Sequence, residues 1–416
     1  MIGWGLGTDT YFSIYVSDII GSAWGITAIG TVLALSKLLI VIPIGSLNDR
    51  VNVKYLLLIG KILYFICGIL FFLAGLLHTW VLLLFATIFC GFASGITFTT
   101  YQSFYGKNST KSNHTQIFGM FFSSYQVAQI IGALISVVLV RYLELPFMYM
   151  FVVIFALISI LQDDTMRLLL PKYRTRSWNT FFRREIKTSM MEVESSLHQH
   201  QSFRGQHGFL DIFIHEIFST QARKRIIALL KGASHQLYTS LGSVGLTYFL
   251  SYVGFLFIPI VALANNLNLS QIALVYAVMK VPYLIMVFLG KRIDKINKKL
   301  IIGLIFIFMS LMYVLLGFQD NFAIILVLTF GISLGIAFLN PITVGLVSDY
   351  AQNKDQGVIA GATNFTGKLG EILGSLGFGI LVTFIGVQSG FILVGAALFI
   401  LGLWIVSKKI LVHRIQ

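Results

Sequence analysis

Five charged side chains stand deep within long apolar runs: Lys37, Lys280, Lys368, Asp9 and Glu371. A charge in such surroundings is costly unless it is paired, reaches water or handles a ligand. The residue types divide the chemistry. A lysine ammonium can hold an anion, whereas a carboxyl can answer a lysine or carry a coupling proton. Lys37 and Lys280 stand eight and ten residues before Gly45 and Gly290, which open two similar loops. They are nearly equivalent in an internal repeat, and such a pair suits an anion placed between two halves. Glu371 follows Lys368 by three residues, on one helix face, so the two can pair with each other. Alternatively, Asp9 or Glu371 takes the proton that couples to solute movement. Gln126, Asn340 and Asn364, with Thr10, Tyr11, Tyr125, Gln129 and Tyr252, are candidate solute contacts on polarity at depth alone.

The elements that carry these residues follow from composition. The 416 residues are 57% hydrophobic and only 11% charged, with a mean hydropathy of +0.86, which excludes a soluble globular protein. A bilayer core of roughly 30 Å needs about 20 apolar helical residues per crossing. Runs of that kind cover 3–22, 26–47, 55–77, 79–104, 115–140, 146–162, 238–262, 270–289, 300–317, 322–347, 357–385 and 389–407. They are continuous and do not alternate residue by residue, which argues against barrel strands. The class is an all-α polytopic membrane protein with twelve transmembrane helices. At 1.5 Å per residue, Lys37 lies about 18 Å in from Asp49, Lys280 about 21 Å in from Asp294 and Lys368 about 18 Å in from Gln356, all near mid-depth. Lys61 is only about 10 Å from Lys54 and can snorkel. Pro43, Pro259, Pro282 and Pro341 interrupt runs 2, 7, 8 and 10, and glycines crowd run 11 at 367, 370, 374, 377 and 379, permitting bends and close crossings.

The net charge of +14 is a topology signal, not a nucleic-acid surface. With the loop after run 2 in the cytoplasm, the loop and terminal lysines and arginines fall on that side, and only Arg141 falls opposite. Both termini are then expected inside an inner or plasma membrane. Cys67 and Cys90 lie in apolar runs and indicate neither a disulfide framework nor a metal site. The opening Met1-Ile2-Gly3-Trp4 has no basic n-region, and run 1 starts abruptly against run 7, so its first turns are expected upstream of Met1. The sequon Asn268-Leu269-Ser270 falls on the outer side.

The chain repeats. After run 2 it carries Gly45, Asp49, Arg50, Asn52 and Lys54; after run 8, at a constant offset of 245, come Gly290, Asp294, Lys295, Asn297 and Lys299. Run 4 has Gly91 and Gly95, and run 10 has Gly331 and Gly335, at an offset of 240. Two halves of six helices follow, 1–162 and 237–416, related by an axis along the membrane normal because each half has an even number of crossings. The polar stretch 163–236 is a cytoplasmic linker in which 209–218 and 223–231 read as amphipathic surface helices. Its His198, His200 and His207 fit no compact metal site.

This organisation resembles the major facilitator superfamily of secondary transporters, and the resemblance covers nearly the whole chain. The family's loop signature is G-x-x-x-D-[RK]-x-G-[RK]-[RK]. Gly45, Asp49, Arg50 and Lys54 match it in the first half, and Gly290, Asp294, Lys295, Lys298 and Lys299 in the second. Asn52 and Asn297 replace its second glycine, and asparagine is the residue that next best tolerates a left-handed backbone. Ser348-Asp349-Tyr350 is similar to the family's loop between helices 10 and 11. The resemblance implies that Gly45, Asp49, Arg50, Lys54, Gly290, Asp294, Lys295, Lys299 and Asp349 gate, pairing across the closed cytoplasmic side and parting when it opens. It departs from the family at Thr87 in run 4, where an arginine often stands, with Val327 at the equivalent place in run 10, and at Gln129 to Ala133, which lacks the proline of the antiporter signature; both absences argue against a proton-driven drug exporter.

No phosphate-binding loop, H-E-x-x-H, G-x-S-x-G or Cys-x-x-Cys occurs, so no enzyme reading has a motif and no cofactor or metal is implied. The sequence therefore points to a monomeric secondary transporter. It is expected to move a small solute, preferably an anionic metabolite, by alternating access in a lipid bilayer, with a proton or ion as coupling partner. The alternatives are a proton-coupled drug or lipid exporter, and a transporter-fold receptor or scaffold without net flux.

Overall fold

Apolar runs without charge can satisfy their backbone in lipid only as helices, and every element of the computed structural model among its described residues is a helix. These are residues 8–48, 51, 53–107, 114–169, 235–285, 289, 293, 297–349 and 356–415. In chain order the helices are α1 (Thr8–Ile20), α2 (Ala23–Leu47), α3 (Val53–Leu76), α4 (Trp80–Lys107), α5 (His114–Leu139) and α6 (Leu145–Leu169). After the break come α7 (His235–Ala264), α8 (Leu269–Lys280), α9 (Lys298–Leu316), α10 (Phe322–Ser348), α11 (Gln356–Ile372) and α12 (Val387–Ile415). A 3-10 turn, Val281–Ile285, prolongs α8, while a π turn, Leu373–Gly377, and a last segment, Phe378–Ile385, prolong α11. Among the described residues, nine helices are long and apolar enough to cross a bilayer. The amphipathic segments expected at 209–218 and 223–231 lie outside the described residues.

Helix starts are set by side-chain caps. Ser22 accepts from the Gly25 amide before α2, and Asn321 accepts from the amides of Ala323 and Ile324 before α10. Asn268 and Gln271 form a reciprocal capping box at the start of α8, so the sequon asparagine is engaged in its own backbone. Asn297 corrects an expectation. Its φ is −63°, not left-handed, and its Oδ1 accepts from the amides of Lys299 and Leu300. Asparagine stands there to cap α9.

Within lipid, helices associate through close packing more than through hydrophobic drive. α3 packs on α4 and α6, α2 on α4, and α9 on α10 and α12. Across the two halves, α11 runs along α2, and α8 along α5, with α10 also touching α5. Glycine makes the α11 crossings possible. A Cβ on Gly370 collides with the Gly245 carbonyl of α7, and one on Gly361 comes within 3.3 Å of the Gly45 Cα in α2. Leu39, Val327, Phe384 and Ile400 are exposed, as suits a lipid-facing belt, and Trp24, Trp80, Tyr55 and Tyr142 lie exposed near helix ends.

Candidate functional site

The repeat glycines of α4 seat the first lysine. A Cβ on Gly91 meets the Leu33 carbonyl at 2.9 Å and the Lys37 amide nitrogen at 3.2 Å; one on Gly95 meets the Lys37 carbonyl at 3.3 Å. Only side chains this small let α4 lie against the α2 backbone at Lys37 and fix its position. In the second half, Gly331 and Gly335 receive Met312 and Met309 of α9 instead, so the equivalent glycines serve a different neighbour.

Lys37 meets α11 rather than Lys280. Its Nζ donates to Glu371 Oε2 at 3.1 Å, and Lys368 donates to the other carboxylate oxygen, Oε1. All three are buried, at 8%, 5% and 4% exposure for Lys37, Glu371 and Lys368, so a single carboxylate answers two ammonium groups between the halves. The pairing within α11 thus occurs, and it extends to the other half. Aromatic faces complete the surroundings. Lys37 lies 5.4 Å over the Tyr252 ring, and Lys368 lies 5.0 Å over Tyr248 and 5.9 Å over Phe98. Tyr252 donates its hydroxyl to the Gly30 carbonyl at 2.9 Å, tying α7 to α2. One turn before Lys368, Asn364 Nδ2 donates to Gln102 Oε1 at 2.7 Å and to Thr99 Oγ1 at 3.2 Å, while Gln102 donates to the Tyr248 hydroxyl at 3.4 Å.

The remaining candidates are distributed differently. Lys280 ends α8, half-buried, with its Nζ 5.7 Å over the Tyr276 ring. Asn340 donates to the Tyr283 hydroxyl at 3.1 Å, and Ser123 of α5 donates to the Tyr283 carbonyl. Gln126 lies one turn after Ser123, buried, and its Oε1 has no hydrogen-bond partner among the described residues. Tyr11 donates to the Ser136 carbonyl, and Gln129 donates to Tyr125 on its own helix. Thr10 is buried in α1. Asp9 is helical at the start of α1, and its side chain lies outside the described residues. Lys61 bonds the Ser159 carbonyl of α6 at 3.2 Å.

Of the loop residues, Gly45 sits in the α2–α11 crossing, Lys54 is exposed in the first turn of α3, and Lys299 is half-buried in the first turn of α9. Lys298 pairs with Asp349 at 3.5 Å, joining the start of α9 to the end of α10. Lys107 donates to the Asn48 carbonyl at 2.7 Å, joining α4 to the end of α2. Asp49, Arg50, Gly290, Asp294 and Lys295 lie outside the described residues.

Reasoning from sequence passed over Tyr248, Phe98, Thr99 and Gln102. The last two had a signal, since α4 carries Thr97, Thr99, Thr100, Gln102 and Ser103 within seven residues of an apolar helix. The aromatic pair had none, because rings are ordinary in membrane helices.

No curated protein matches the chain. Solved structures do. The human organic anion transporter MFSD10 (TETRAN) aligns over 96% of this chain and 89% of its own, with a TM-score of 0.63 and 14% identity, a likeness of fold. The model of the Major Facilitator Superfamily matches residues 2–230 and 239–413. The chain is therefore an integral, multi-pass membrane protein that belongs to the Major Facilitator Superfamily of transporters.

Proposed function

We propose that the protein is a secondary transporter of small organic anions. The observation that supports this most directly is the Lys37–Glu371–Lys368 cluster, where two ammonium groups share one carboxylate between the halves, about 15 Å along α2 from its Leu47 end. A surplus cation in that place favours an anionic ligand. MFSD10, which shares the fold, is an organic anion transporter, which agrees with the class.

In this reading an incoming anion takes the place of Glu371 on Lys37 and loosens α2 from α11. The bundles 1–162 and 237–416 then rock about the site while the loops Gly45–Lys54 and Gly290–Lys299 engage and release on the cytoplasmic side. Asp349, held by Lys298, steadies the second loop's neighbour. The 163–236 linker and both termini lie in the cytoplasm.

The test is thermal unfolding of the detergent-purified protein against anionic, neutral and cationic solutes, followed by flux in proteoliposomes. A ligand of the native state raises apparent stability by mass action. Anions are expected to stabilise the parent and not Lys37→Gln; stabilisation by neutral or cationic solutes alone, or equally in both proteins, refutes the anion reading.

A further inference from the structure

The two repeat-related lysines are joined by a row of rings. Lys37 lies over Tyr252, whose centroid is 5.5 Å from that of Phe255; Phe255 is 6.3 Å from Tyr276, edge to face, and Lys280 lies over Tyr276. Phe12 of α1 stacks on Phe255 at 5.9 Å with planes 23° apart, so the row lies between the halves. Its members differ in access. Tyr252, Tyr276 and Phe12 are buried, whereas Phe255 and Lys280 are only half-buried.

An aromatic row in a helical protein is usually packing. Two features set this one apart. An ammonium caps each end, and the middle ring and the second ammonium keep accessible surface. Lys280 follows Tyr276 by four residues and so shares the helix face that Tyr276 turns to α7.

Building on the anion reading above, we infer that the transported species is an amphipathic organic anion with a flat apolar body. The body lies against the half-buried Phe255, in line with Tyr252 and Tyr276, and the anionic group reaches Lys37. Lys280, at the other end, favours the anion's approach. Ring stacking adds to affinity beyond the area it buries, which the lysines alone do not supply. A short-chain anion engages only the ammonium.

The experiment compares three probes on the full-length protein in detergent: acetate, 2-naphthoate and uncharged 2-naphthamide, each titrated by thermal unfolding. The expected order is 2-naphthoate at least tenfold tighter than acetate, with 2-naphthamide inactive. Phe255→Leu, which keeps an apolar side chain of similar bulk, is expected to weaken 2-naphthoate about tenfold and to leave acetate unchanged. Lys37→Gln, which leaves Glu371 its Lys368 partner and so preserves a buried pair, is expected to lose both anions. Equal affinity for acetate and 2-naphthoate, or 2-naphthoate binding untouched by Phe255→Leu, overturns the aromatic ledge while the anion reading stands. No anion acting in a Lys37-dependent way overturns both.

Discussion

The ammonium of Lys37 lies 3.1 Å from the carboxylate of Glu371, although 334 residues separate them in the chain. That contact joins α2 to α11 across the two halves, and the Lys368 pair on the same carboxylate gives Glu371 two partners on two helices. Movement of α11 away from α2 must break the first bond and can keep the second.

Replacing Glu371 by glutamine leaves two buried ammonium groups without their carboxylate. Breaking a buried pair by removing one partner costs about 3–5 kcal/mol. The thermal midpoint of Glu371→Gln is expected to fall, and a bound organic anion is expected to restore more of it than it adds to the parent. An anion shift no larger than the parent's, measured by thermal unfolding, defeats the exchange of Glu371 for substrate.

The glycine contacts predict a positional pattern. Gly370→Ala drives a methyl into the Gly245 carbonyl and Gly95→Leu pushes α2 from α4, each expected to cost at least about 1–3 kcal/mol. Gly242→Ala on α7 meets nothing within 4 Å and is expected to hold or raise stability by up to about 1 kcal/mol. Midpoints from parallel melts check the order, and equal losses at all three sites count against it.

The Lys298–Asp349 pair is partly open to solvent, at 10% and 27% side-chain exposure, so Asp349→Asn is expected to change stability by under about 1 kcal/mol. Its effect belongs in the rate. Slower flux in proteoliposomes at an unchanged melting midpoint is the expected result; flux equal to the parent's removes Asp349 from the gate.

Asn297 distinguishes a cap from a left-handed turn. Asn297→Ser keeps an acceptor for the first amides of α9 and is expected to preserve stability, while Asn297→Ala loses about 1 kcal/mol. A left-handed requirement predicts instead that glycine is best and serine as poor as alanine. Melting of the three variants separates the two.

The fold was legible because a membrane leaves the backbone few choices: long uncharged runs became helices, and the expected interruptions at Pro282 and along the glycines of α11 became a 3-10 turn and a π turn. The site was legible only in its ingredients. Depth along each run marked Lys37, Lys368 and Glu371, but spacing in the chain does not state which helices touch, so the contact of Lys37 with Glu371 was not among the pairings read from the sequence. The residues around the cluster, Tyr248 and Phe98 among them, contribute ring faces rather than polar groups, and polarity was the signal being read. Asn297 was recognised as a departure and misassigned in cause, since a local motif does not reveal whether a side chain serves its own backbone angle or the next helix's amides.

The repeat glycines lead to a last point. Gly91 and Gly95 clamp the unbroken helix that carries Lys37, whereas Gly331 and Gly335 are spent on α9, and Lys280 stands where α-helix gives way to the turn at Pro282. A duplicated pattern has thus become a lopsided grip. One half presents its lysine from the middle of a continuous helix, the other at the edge of a joint.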